Sequence, residues 1–80
     1  MDNELLKVTQ KIRRELADFL GIGYEDIEED TFFSEDLHMN PTDMADFIEI
    51  LGKAGFSVDD LDLTTIETFG DLVEVLYDKH

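Results

Sequence analysis

Four carboxylates, Asp36, Asp43, Asp46 and Glu49, lie around the dipeptide Asn40-Pro41, with hydroxyls at Ser34 and Thr42 in the same stretch. Clustered carboxylates do two things at neutral pH: they attract basic protein surfaces, and they suit hard divalent cations. A divalent ion would find Glu35, Asp36, Asp43 and Asp46, but no metal-ligand set is assigned. The run Glu28-Glu29-Asp30 lacks the spacing and central glycine of a calcium loop and reads as solvated. His38 stands just ahead of Asn40 with no Ser or Cys nucleophile beside it, so it is expected at the surface or against a helix cap. These residues predict a protein that is bound by partners and is not an enzyme.

The charge distribution supports that reading. The formal net charge is −15, and no Lys or Arg occurs between Glu15 and Gly52, while Lys7, Lys11, Arg13 and Arg14 all fall near the start. Such a field repels nucleic acid and anionic membranes and favours basic protein surfaces. The chain has no Cys, so neither a disulfide framework nor thiolate zinc ligation is available. Its first residues are acidic where a secretory signal would be basic and then apolar, and no apolar run approaches the ~20 residues of a membrane span. A cytoplasmic monomer forming one domain over residues 1–80 is expected.

Three periodic blocks must position these groups. Leu5, Val8, Ile12, Leu16 and Phe19 recur at three- and four-residue steps and predict a first helix ended by Gly21 and Gly23. Residues 22–39 lack sustained periodicity but carry Ile27, Phe32, Phe33 and Leu37, which predicts a long loop pinned to the core, with one short turn at Tyr24-Glu25-Asp26-Ile27. The second helix opens with Asn40 as N-cap, Pro41 in the first helical position and Asp43 in the first turn. Met44, Phe47, Ile48 and Leu51 form its inward stripe; Asp43, Asp46 and Glu49 lie away from it, with Ile50 between them. Residues 59–66 predict one or two turns. Thr68 caps a last helix that buries Phe69, Leu72, Val73 and Leu76, with Lys79 and His80 complementing its C-terminal dipole. The fold class is therefore all-α: a bundle of three main helices plus one short helix, with a long loop between helices one and two.

The order Leu20-Gly21-Ile22, Ile27, Phe33-Ser34-Glu35-Asp36-Leu37 and Asp43 opening a helix, followed by Ile66-Glu67-Thr68-Phe69-Gly70-Asp71-Leu72-Val73, resembles the acyl carrier protein family over nearly the whole chain. In that family a serine at the start of the second helix carries 4′-phosphopantetheine. Counting from Glu35-Asp36-Leu37 places Pro41 on that serine, and proline has no nucleophilic side chain. The resemblance thus implies a carrier fold without its attachment serine and an expected cofactor complement of none. It also implies that acids on the second helix meet Arg and Lys on synthases and transferases of fatty-acid or polyketide synthesis. The partner-binding set expected here is Asp36, Asn40, Thr42, Asp43, Asp46, Glu49 and Ile50. Thr42, Ala45 and Glu49 replace larger apolar residues of the family's docking face, and Gly52 and Lys53 replace acids.

Two other readings compete with the lead of a docking or regulatory module. One is a working acyl or aminoacyl carrier modified at Thr42 or Ser34. The other is an acidic helical inhibitor or immunity-type protein that plugs a basic site. The six Phe are expected in the core, filling the interior in which carriers of this family sequester acyl chains.

Overall fold

The computed structural model describes residues 3–79, with the side chain of Lys79 outside the described set. Its elements are α1 (Asn3–Leu20), a 3-10 turn at Tyr24–Asp26, α2 (Pro41–Lys53), a second 3-10 turn at Leu63–Thr65 and α3 (Phe69–Lys79). The one or two turns expected within residues 59–66 are this single 3-10 turn, which Asp62 caps by accepting the Thr64 N–H at 3.0 Å. The expectations for His80 and for the Lys79 side chain lie outside the described residues.

The three helices meet along the stripes the periodicity predicts. Val8, Ile12 and Leu16 of α1, Met44, Phe47 and Leu51 of α2, and Phe69, Leu72, Val73 and Leu76 of α3 are buried in one cluster. Ile48 and Phe19 are half-buried at its margin, where the Phe19 and Phe47 rings stack at 5.6 Å, tilted by 33°. A side chain from each helix therefore closes the core, and each fully buried Leu or Ile contributes roughly 1.5–3 kcal/mol.

The helix ends are set by local chemistry. Gly21, at φ 69°, turns the chain out of α1 and donates its N–H to the Ala17 carbonyl at 2.8 Å. At α3, Thr68 Oγ1 accepts the Asp71 N–H, and the Asp71 carboxylate accepts the N–H groups of Thr68 and Glu67, each at 3.1 Å. The remaining N–H groups of the first turn find carbonyls in the long loop. Phe69 donates to Thr31 at 2.9 Å and Gly70 to Glu29 at 2.8 Å.

Those bonds pin the loop. Ile27, Thr31, Phe33 and Met39 are buried, and Thr31 Oγ1 accepts the Glu28 N–H at 2.8 Å. Phe32 pairs with Thr68 in an isolated antiparallel bridge beside a bond from the Phe33 N–H to the Glu67 carbonyl. The loop is thus rigidly tied to the start of α3 and delivers the chain to Asn40. No described helix is long and apolar enough to cross a membrane.

Candidate functional site

Asn40 leaves the loop in an extended conformation and caps α2. Its side-chain oxygen accepts the Asp43 N–H at 2.8 Å, and the Asp43 carboxylate accepts the Asn40 N–H at 3.2 Å. Pro41 takes the first helical position, where its missing N–H would have had no intrahelical partner. Asp43 is thus a capping residue first, and Asn40, although exposed, is engaged in the same reciprocal bond pair. Asp36 is engaged in a similar way: its carboxylate accepts the Phe32 N–H at 2.8 Å and holds the turn before the helix.

The other expected partner-binding residues stand apart from these caps. Thr42, Asp46 and Glu49 are exposed, and Ile50 is half-buried. Helical geometry of 100° per residue puts Thr42, Asp46, Glu49 and Lys53 on one narrow ridge, opposite the buried Met44, Phe47 and Leu51. Glu49 and Lys53 pair across one turn at 3.7 Å. Sequence reasoning treated Lys53 only as a replaced acid, although its i, i+4 spacing from Glu49 was visible. It had no means of finding Lys11, whose Nζ crosses from α1 to donate to the Ala54 carbonyl at 3.0 Å.

A cleft of about 570 Å³ opens at the N-terminal end of α2. Phe32, Phe33, Met39, Met44, Leu63 and Ile66 give it apolar walls, and Ser34, Asn40 and Pro41 also line it. The expectation that the Phe residues fill the interior holds for four of the six. Phe33, Phe47, Phe56 and Phe69 are buried, but Phe32 is only half-buried and faces this space. Leu63 and Thr64 of the second 3-10 turn form part of its wall.

His38 is exposed and holds a left-handed backbone, φ 57°, between the Asp36 turn and Asn40. Among the described residues no group of three or more His, Asp or Glu is arranged to hold a metal ion.

A three-helix bundle with a long pinned loop entering a capped second helix, a cleft at that helix start and an acid-bearing ridge defines a small carrier-type domain. Residues 10–76 match the family described as the phosphopantetheine attachment site. The chain is 33% identical over 73 residues to an acyl carrier protein of Saccharopolyspora erythraea, covering 90% of this chain and 77% of that protein. It is 25% identical over 75 residues to acyl carrier proteins of Chlamydia muridarum and Chlamydia trachomatis, covering 92% of this chain and 97% of each. The chain belongs to the acyl carrier protein family, whose members are carriers and not enzymes.

This membership corrects the expectation of no cofactor, because the matched family carries 4′-phosphopantetheine. That expectation rested on Pro41 alone. Proline does not fit the group, having no hydroxyl to esterify, but one residue's chemistry does not exclude attachment elsewhere. Ser34 and Thr42 both present exposed hydroxyls, and Ser34 lines the cleft together with Pro41.

Proposed function

We propose that this chain is a cytoplasmic, monomeric, single-domain module over residues 1–80 that docks through α2 onto basic surfaces of acyl-chain synthases or transferases in fatty-acid or polyketide synthesis. The observation that carries the reading is the exposed ridge of α2, where Asp46 and Glu49 project opposite the buried stripe. Asp36, Asn40, Asp43 and the half-buried Ile50 support that ridge or border it. Because Asp43 also caps the helix, its reversal would mix docking with stability. Asp46→Lys combined with Glu49→Lys separates them. Titrating wild type and the double variant against a purified acyl-chain synthase should show weaker capture and a shallower salt dependence for the variant. Equal affinity at every salt concentration would rule out docking by this helix.

A second reading, in which the chain carries 4′-phosphopantetheine on Ser34 or Thr42, is favoured by the exposure of both hydroxyls and the place of Ser34 on the cleft. When bound, the group supplies a thiol for acyl thioesters. Incubation with a phosphopantetheinyl transferase and coenzyme A, followed by intact-mass measurement and peptide mapping, decides between hydroxyls. A mass gain that survives Ser34→Ala with Thr42→Val would remove both candidates. The inhibitor or immunity-type reading has no specific observation in its favour.

A further inference from the structure

We infer that the exposed ridge of α2 is a dipolar docking surface, on which Lys53 selects partners that set Arg or Lys against Asp46 and a carboxylate against the C-terminal end of the helix. The inference rests on the docking reading above and adds the charge pattern of the partner.

Three observations carry it. Lys53 lies on the same ridge as Asp46 and Glu49, and its side chain is 77% exposed beside a 69% exposed Glu49. An ion pair this open to water holds its members loosely, so Lys53 offsets Glu49 yet stays available to a partner. Second, Lys11 is fixed at the same end by its bond to the Ala54 carbonyl, and its Nζ sits 5.4 Å from the centre of the Phe56 ring. Third, Lys7 and Lys11 line a hollow with Ala54 and Gly55, two cations against the single carboxylate of Glu4. Lys7, Lys11 and Lys53 make up half of the six basic residues in a chain of net charge −15. The helix dipole accounts for cations at the last turn of α2, but it does not require Lys7.

Distance keeps the poles distinct. Asp46 and Lys53 are seven residues apart, about 10 Å along the axis, which exceeds the Debye length of about 8 Å at physiological salt. A partner therefore meets two local charges, not their average. A uniformly basic patch would gain at Asp46 and be repelled at Lys53, and such like-charge juxtaposition is how interfaces reject wrong partners.

The test measures binding of wild type, Lys53→Glu and Asp46→Lys to a purified acyl-chain synthase whose carrier-docking patch contains Arg and Lys but no Asp or Glu. Lys53→Glu should bind about five-fold more tightly than wild type, with the gain fading as salt rises. Circular dichroism confirms that each variant is folded. Unchanged or weaker binding by Lys53→Glu, with Asp46→Lys still weakening capture, overturns the dipolar ridge and leaves docking by α2 standing. If none of the three proteins binds, or if Asp46→Lys has no effect, the docking reading falls and this inference with it.

Discussion

Asn40 and Asp43 satisfy each other's backbone: the Asn40 side chain accepts the Asp43 N–H at 2.8 Å, and the Asp43 carboxylate accepts the Asn40 N–H at 3.2 Å. This pair starts α2 beside a proline and so fixes where the ridge and cleft begin. Asn40→Ala should lower stability by about 1 kcal/mol in urea unfolding. Asp43→Asn retains an acceptor oxygen and should lose less than Asp43→Ala. Equal losses for the two would mean that the charge near the helix N-terminus, and not the reciprocal bond, does the stabilising.

His38 is the non-glycine residue held at positive φ among those described, at 57°. An L side chain is crowded there, although His tolerates it better than most. His38→Gly relieves that crowding at some entropic cost and should raise stability by up to about 1 kcal/mol. A lower urea midpoint for the variant would show that the imidazole contributes more than the strain removes.

Gly70 lets the long loop touch α3. A Cβ there would come within 2.9 Å of the Glu29 carbonyl oxygen and 2.7 Å of its Cγ. The side-chain carbon can swing away, but the carbonyl is held by its bond from the Gly70 N–H. Gly70→Ala should therefore cost about 1–3 kcal/mol as an overpacking change, against the small gain alanine normally brings to a helix. Thermal unfolding with no loss of stability would show that the loop can shift freely.

Asp71 is held below the usual carboxylate range, first by the Thr68 N–H and then by the Glu67 N–H. In the window between its folded and unfolded values, the unfolded chain binds more protons, so stability rises with pH there. The contribution is present above the ordinary Asp value of about 3.9 and is lost as pH falls through the depressed folded value. The stability difference between wild type and Asp71→Asn should therefore shrink as pH is lowered from about 5 toward 2. Comparing the two proteins cancels the relief of general acidic repulsion. A difference that stays constant across this range would rule out the carboxylate as its source.

The main helices were legible because their signals are local. Periodic apolar residues and caps such as Asn40 and Thr68 act over three or four positions, and helical geometry converts those spacings directly into faces. The capping box of α2 was only half visible, since Asp43 reaches back with a shorter side chain than the usual Glu or Gln. The short turn expected within residues 59–66 falls at Leu63–Thr65, and Leu61, Leu63 and Ile66 of that segment pack on the core.

The candidate site divides in the same way. The sequence by itself determined the acidic stretch around Asn40-Pro41, the position of Pro41 in the first turn and the resemblance to carriers, because residue identity and spacing carry these directly. It did not determine which carboxylates remain outward. The turn before α2 engaged Asp36 with Phe32, and the capping geometry engaged Asp43, leaving Asp46 and Glu49 on the exposed ridge. Only packing brought Lys11 to Ala54, set the Arg13 guanidinium 5.2 Å from the Tyr24 ring and 5.6 Å from the Phe69 ring, and left the Phe32 cleft open. These relationships join segments far apart along the chain, and their geometry depends on how the whole core closes, which no local periodicity encodes.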